Sequence, residues 1–368
     1  MRVAFVHDWL VSYRGGEKVL EALMELYPDA PIYTLFHQPD AMPPTFQKRT
    51  IITPWASRWL NPIRKALLPF MPMMIERFPL EHYDLVISTS SCVAKGIIPA
   101  PQATHLCYIH SPMRYIWDQR DHYLSSLRRI PLINLLVDLL ATQLRMWDVS
   151  SSPRVDQFVA NSHFVAQRVQ KYYGRGAKVI HPPIDIDSFL SPTADPELGE
   201  YILAAGAFVP YKRFDLALEA CQRTGKKLVI AGSGPLTPDI QQQVGPNMIL
   251  EIAPSRERWV QLFQHADAFL FPGVEDFGMT AIESMAAGTP VIAYQAGGAL
   301  DFVKPGETGE FFAEPTASSL AATLEAFDKN QYSAEKLRAF ARSFTKEQFL
   351  AKIKQEVGSL LEKQRVQS

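Results

Sequence analysis

Short apolar runs of strand character alternate along this chain with longer stretches whose apolar positions recur at helical spacing. The first series reads RVAFVH, EKVLEALMELY, DLVIST, THLCYIH, a helical stretch near residues 132–146, QFVANS and HFVAQRVQKYY. A second begins after Pro182 and Pro183: YILAAG, FDLALEACQR, KLVIAG, MILEIA, RERWVQLFQHA, AFLF, TAIESMAAG and PVIAY. Strand-sized runs separated by helix-sized ones predict parallel sheets with helices on both faces. The break between series puts a boundary near residues 180–200. The expected fold class is therefore α/β, with two Rossmann-like, doubly wound domains facing a cleft and taking ligands at the carboxyl ends of their strands. Residues 345–364 read as a charged amphipathic helix.

A chain of 368 residues exceeds what one hydrophobic core supports, which agrees with two domains. Its 47% hydrophobic and 20% charged residues are those of a soluble globular protein. No apolar window of about 18 residues predicts a spanning helix, and the chain enters a strand at once, without a signal-peptide pattern. Cys92, Cys107 and Cys221 have no metal-binding spacing and read as buried thiols in a reducing cytosol. The net charge of −1 hides an asymmetry: residues 1–180 carry 20 Lys and Arg against 14 Asp and Glu, and the remainder 17 against 24. A basic first half suits an anionic membrane surface or a phosphate-bearing acceptor, and no nucleic-acid partner is expected.

Residues 49–80 interleave Arg49, Arg58, Arg64, Lys65 and Arg77 with Trp55, Trp59, Phe70, Met71, Met73 and Met74. Such a mixture suits a membrane interface; a core helix pair with solvated basic faces is the other reading. Residues 130–141 are a weaker membrane candidate, interrupted by Asn134 and Asp138 and too short to span.

The densest chemistry lies in residues 271–293, FPGVEDFGMTAIESMAAGTPVIA. A strand ends at Pro272 and Gly273, Glu275 follows in a loop, and a helix starts at Gly278 and stops at Gly288. With no side chain at Gly278, the free N–H groups near Gly278, Met279 and Thr280 are open to an anion, a phosphate above all. Glu283 lies a turn into that helix. This strand, loop and helix resemble the Glu, seven residues, Glu motif of retaining glycosyltransferases of family 4, which have the GT-B fold.

The resemblance implies residues 1–185 as an acceptor-binding domain, 186–345 as the nucleotide-sugar domain, and 346–368 as a helix packing back on the first. It implies Glu283 on the ribose hydroxyls and Glu275 on those of the donor sugar, with Phe277 and Gly278 to Thr280 also at the donor. Lys212 and Arg213, directly after a strand and turn, would meet the charge growing on the leaving phosphate. The family's arginine after the strand glycine is replaced here by Ala207, following Gly206, which shifts weight onto Lys212 and Arg213. Gly232, Ser233 and Gly234 resemble the loop beside the nucleoside, although an ordinary tight turn reads the same. In the first half, Gly15 and Gly16 before a helix resemble the family's phosphate or acceptor loop. His110, ending THLCYIH, would face the donor sugar or else be a satisfied structural histidine. Asn161, Ser162 and His163 open a helix, where capping explains Asn161 or Ser162, and Asp8 is a possible acceptor contact.

The expected reaction is transfer of a hexose to a hydroxyl of a polyprenyl-linked oligosaccharide, with retention of configuration and without cofactor or metal. YIHSPMRYIWD, RVDQFVANS, HPPIDIDSF and VPYKRFDLALEA look like a bacterial subgroup that builds surface polysaccharides, including lipopolysaccharide. That resemblance favours GDP-mannose over UDP- or dTDP-sugars as donor, and a cytoplasmic place at the inner face of the plasma membrane. A non-catalytic nucleotide-sugar-binding protein and an NAD-dependent oxidoreductase are the alternatives. The latter requires GxGxxG at the first turn, where the chain reads HDWLVSYRGGEK.

Overall fold

A computed structural model describes residues 1–117, 131–194 and 197–367. The chain divides into two units, one made of Met1–His181 with Phe349–Ser368, the other of Pro182–Gln348.

The first unit holds strands β1 (Val3–His7), β2 (Ile32–Thr34), β3 (Ile51–Ile52), β4 (Leu85–Ser90), β5 (Thr104–Ile109), β6 (Gln157–Ala160) and β7 (Ala177–Val179). They form a parallel sheet in the order β3-β2-β1-β4-β5-β6-β7. Every residue of β1, β4 and β5 is buried, because helices cover both faces, and this is why their sequences read as unbroken apolar runs. The covering helices include α1 (Gly15–Met24), α2 (Pro131–Ser150) and α3 (His163–Tyr173). Helix α3 is set by its ends: Ser162 Oγ accepts the Val165 N–H at 3.0 Å, and Gly174 closes it at φ 65°. The C-terminal helix, Lys346–Gln367, belongs to this unit from Phe349 onward. Its Phe349, Ile353 and Val357, four residues apart, join a core containing Phe5, Leu20 and Tyr108.

The second unit holds β8 (Ile202–Ala207), β9 (Leu228–Ser233), β10 (Met248–Ile252), β11 (Ala268–Phe271), β12 (Val291–Tyr294) and β13 (Gly309–Phe312), parallel and ordered β10-β9-β8-β11-β12-β13. Side chains alternate between two cores, with Leu203, Val229 and Phe269 on one face and Ile202, Ile230 and Leu270 on the other. Its helices include α4 (Phe214–Thr224), α5 (Arg256–Gln264) and α6 (Met279–Ala287). In α6, Ala281, Ile282, Met285 and Ala286 are fully buried. The strand order reverses between β1 and β4 in the first sheet and between β8 and β11 in the second. At such points the loops at the strands' carboxyl ends diverge and leave a crevice for ligand.

Residues 49–80 form no pair of core helices. They contain β3, the short helix Ser57–Leu60, the 3-10 segment Asn61–Phe70 and the short helix Met71–Ile75. Prolines at 62, 69 and 72 break the helical ladder. Met71, Ile75 and Phe78 anchor one side in the core, while Trp55 at 92%, Trp59 at 79%, Ile63 and Phe70 stand in solvent. Of residues 130–141, residue 130 and the side chains of 131–134 lie outside the described residues; beyond them Leu135, Leu136 and Leu139 are exposed. Among the described residues no helix is long and apolar enough to cross a membrane.

Candidate functional site

At the reversal point of the second sheet the loops after β8 and β11 meet. Lys212 Nζ lies 2.5 Å from Glu275 Oε1 with the two side chains only 11% and 16% exposed. Gly206, at φ 144°, makes the approach possible: a Cβ there would stand 3.1 Å from Lys212 Cε and Nζ. The Lys212 ammonium also lies 5.9 Å from the centre of the Phe271 ring. On the other side of Glu275, its carbonyl accepts the Gly298 N–H at 2.8 Å, which pins the loop. Arg213, expected beside Lys212, does not join it. Its φ of 53° turns the backbone, and its guanidinium grips Asp215, with Nε–Oδ1 at 3.0 Å and Nη2–Oδ2 at 2.8 Å, on the open surface.

Helix α6 starts at Gly278 with φ 117°, a conformation closed to other residues, and a Cβ there would run 2.6 Å from Phe271. No side chain caps this end. The Thr280 Oγ1, in the first turn, is buried without a hydrogen-bond partner. A buried hydroxyl with nothing to bond is costly, so an uncapped helix start beside an orphan hydroxyl is a cradle for an anion. Phe277, expected at the donor, buries its ring against Phe302 and Phe344. Met279 is half-buried beside it.

Glu283 is 5% exposed. Its Oε2 accepts the Trp259 indole N–H at 3.2 Å, and its Oε1 lies 3.7 Å from an Arg256 nitrogen. Arg256 and Trp259, both on α5, were not legible as partners of this site. Nothing in RERWVQLF distinguishes them from an ordinary amphipathic face until the fold lays α5 beside α6. The loop Gly232, Ser233 and Gly234 is held by its backbone: the Ser233 carbonyl accepts the Phe208 N–H at 2.9 Å, and that of Gly232 accepts the Ala253 N–H at 2.8 Å. The Ser233 side chain faces solvent.

A second cluster occupies the carboxyl ends of β1, β4 and β5. Gly15 and Gly16 lie inside the first turn of α1 rather than in a loop ahead of it. A Cβ on Gly16 would come 3.5 Å from His110 Nε2, a buried nitrogen with no partner. Burial, aided by the neighbouring His7 and opposed by Glu17, pushes the His110 imidazole down to about 3, so at neutral pH it is uncharged. His7 Nδ1 is 2.6 Å from Thr89 Oγ1, and its Nε2 is 3.7 Å from Glu17 Oε1. Burial would raise the Glu17 carboxyl, but His7 and the Arg14 N–H, donating at 2.9 Å, hold it below its usual value. His7, Glu17 and Thr89 are additions to the expected set. An acid three residues into a glycine-led helix was the signal for Glu17.

Asp8 is not available to an acceptor. Its carboxylate accepts the backbone N–H groups of Ser91, Cys92, Val93 and Ala94 at 2.7 to 2.9 Å, and the Ser91 hydroxyl at 3.1 Å. It is a structural anion that closes the turn after β4. Asn161 donates to the His110 carbonyl at 3.1 Å, holding that residue's backbone, while Ser162 is the cap of α3. His163 is the first residue of α3 and is exposed. The three cysteines are buried and free, and burial pushes Cys107 and Cys221 up to about 12, which suits inert core thiols.

Two family models tile the chain: "Glycosyltransferase Family 4" over residues 13–188 and "Glycosyl transferases group 1" over 186–344. Among curated proteins, the D-inositol 3-phosphate glycosyltransferase of Mycolicibacterium smegmatis is 28% identical over 225 residues, covering 53% of this chain and 52% of that one. The one of Mycobacterium leprae is 31% identical over 275 residues, covering 62% and 63%. The chain thus spans between about half and somewhat under two thirds of the length of these relatives. Sucrose-phosphate synthase from Thermosynechococcus elongatus superposes with a TM-score of 0.74 at 17% identity, over 98% of this chain and 100% of that one. HepE of Anabaena in complex with UDP gives 0.70 at 17%, over 98% and 100%. The lipopolysaccharide outer core galactosyltransferase WaaB gives 0.68 at 17%, over 98% and 99%. At such identities the likeness is one of fold, and the expected pair of Rossmann-like domains of GT-B type is what the chain has.

Proposed function

The chain belongs to the GT-B glycosyltransferases of the group 1/family 4 type, and on that premise we propose that it transfers a hexose from a nucleotide-sugar to an acceptor hydroxyl with retention of configuration. The observation that carries the reading is the start of α6, an uncapped helix end with an orphan Thr280 hydroxyl. It suits a diphosphate, whose charge the helix amides and Lys212 would stabilise as the glycosidic bond breaks. Glu275 would accept hydrogen bonds from the donor sugar, and Glu283 from the ribose. The acceptor hydroxyl attacks on the face the diphosphate leaves. Its proton passes to an oxygen of the leaving phosphate, and a neutral His110 contributes a hydrogen bond rather than a proton. Lys212 and backbone amides take the charge-neutralising part that a metal plays elsewhere.

The proposed donor is GDP-mannose on the sequence resemblance; UDP in the HepE complex favours a UDP-sugar as the second reading. The proposed acceptor is a polyprenyl-linked oligosaccharide of surface polysaccharide synthesis at the inner face of the plasma membrane. Exposed Trp55, Trp59 and Phe70, with Arg58 and Lys65 among them, support a peripheral contact. Thermal-shift measurements with GDP-mannose, UDP-glucose, UDP-galactose and dTDP-sugars test the donor, since a ligand bound only by the folded chain raises its melting temperature. Stabilisation by one class, followed by its consumption in the presence of lipid-linked acceptor and EDTA, is the expected result. No shift with any of them, or activity that EDTA abolishes and Mg²⁺ restores, would overturn the donor site or its metal independence respectively.

A further inference from the structure

Glu283 does not hold its own orientation. Its carboxylate is engaged from α5, where Arg256 and Trp259 are three residues apart and so share one face. The Trp259 indole N–H donates to Oε2 at 3.2 Å, and the indole is itself packed on Phe263 with ring centres 5.2 Å apart. Arg256 lies 3.7 Å from Oε1, donates to Asp185 Oδ2 at 3.0 Å, and sits 4.7 Å from the centre of the Phe189 ring. A carboxylate has about four lone-pair sites, and gripping two adjacent hydroxyls requires its plane to be fixed beforehand. One donor on Oε2 stops the plane from turning and leaves acceptor capacity on both oxygens.

We propose that Trp259 is the positioning residue for ribose recognition: its indole N–H fixes the Glu283 carboxylate so that the remaining lone pairs meet the 2′ and 3′ hydroxyls of the nucleotide. Arg256 ties the same carboxylate to Asp185, in the segment HPPIDIDSF. The inference rests on the reading of Glu283 as the ribose acceptor, and its test separates the two.

Two substitutions divide hydrogen bonding from packing. Trp259→Phe keeps an aromatic ring and loses the donor. Trp259→His loses ring bulk but keeps a ring N–H at the same bond count from Cβ. Binding of UDP and GDP, each with its 2′,3′-dideoxy counterpart, is measured by calorimetry on the full chain. For the nucleotide that the wild type binds, Trp259→Phe should weaken affinity about tenfold, the loss expected for a hydrogen bond to a charged group, and leave the dideoxy counterpart unchanged. The donor KM should rise by the same factor with kcat within about twofold, and Trp259→His should restore the preference for the ribose form. Should the phenylalanine variant not fold, Trp259→Met carries the same comparison. A variant without the donor that keeps the wild-type preference for the ribose form overturns the role of Trp259. If Glu283→Gln also keeps that preference, the ribose reading of Glu283 falls with it; if Glu283→Gln loses it, only the role of Trp259 falls.

Discussion

Two lysine–carboxylate pairs, one in each unit, show how the same chemistry serves different ends. Lys95 and Asp148 are 1% and 0% exposed; the ammonium donates to the Asp148 carbonyl at 2.5 Å and to Ser151 Oγ at 2.7 Å, and forms an ion pair with Asp148 Oδ1 at 3.1 Å. Asp148 Oδ2 accepts from Trp117 at 2.8 Å and Tyr173 at 3.0 Å, so the pair ties α2, α3 and Trp117 together. Lys212 and Glu275 are closer, at 2.5 Å, but partly open, and they stand where the second sheet reverses. The first pair is a sealed joint. In the proposed reaction the second supplies a cation and an acceptor.

Removing the sealed pair should have the larger effect. Lys95→Met strands the Asp148 carboxylate in the core, and breaking a buried pair from one side costs about 3–5 kcal/mol. Urea unfolding should report that loss, and specific activity per folded molecule should be unchanged. A stability within about 1 kcal/mol of wild type would mean that the joint is not what holds these helices. Lys212→Ala reverses the pattern. Turnover should fall by about 10²–10³, the range for deleting one charge-stabilising group, while the melting temperature moves little. If instead stability collapses and turnover per folded molecule persists, the two pairs are alike and the distinction fails.

The histidines sharpen the same contrast. His105 is fully buried with both nitrogens used: Nε2 is 2.8 Å from Ser88 Oγ and Nδ1 is 3.1 Å from the Arg154 carbonyl. A carbonyl can only accept, so Nδ1 carries a proton, and the Ser88 hydroxyl can donate to Nε2 of the neutral ring. Burial pushes His105 down to about 4. Because the folded value lies below the unfolded 6.5, the unfolded chain binds more protons between them. The stability is fully present above pH 6.5 and is lost as pH falls toward 4. Its size is of the order of 3 kcal/mol. His105→Gln should flatten the pH dependence of unfolding over that window; an unaltered slope would assign the acid sensitivity elsewhere.

What could be read in advance follows the range of the interactions. The two series of strands and helices were legible because a parallel sheet buried on both faces writes continuous apolar runs into the chain. The start of α6 was legible because glycine at φ 117° and an adjacent loop glutamate are local features. Arg213 pairs with Asp215, two residues on, and a cation after a strand looks the same in the sequence whether it faces a ligand or its neighbour. Asp8 misled because its five donors come from residues 91–94, more than eighty positions away. Trp259 escaped for the same reason, being 24 residues from Glu283. Residues 49–80 show their mixture of cationic and aromatic side chains in the sequence, but not that proline cuts them into short helices.

Backbone strain gives the last and smallest test of the difference between the units. Among the described residues, the non-glycine positions with positive φ are Glu197, Arg213 and Ala253, all in the second unit. Ala253, at φ 47°, follows β10 and donates its N–H to the Gly232 carbonyl at 2.8 Å, so the strained residue braces the loop expected at the nucleoside. Left-handed backbone costs a residue with a Cβ about 1 kcal/mol, and glycine removes that penalty at some cost in unfolded-state entropy. Ala253→Gly should therefore raise stability by about 0.5 kcal/mol in denaturant unfolding and leave nucleotide binding unchanged, because glycine keeps the backbone N–H that holds the Gly232 carbonyl. Weaker binding would show that the Ala253 methyl itself supports the loop; lower stability would show that the backbone there is not strained.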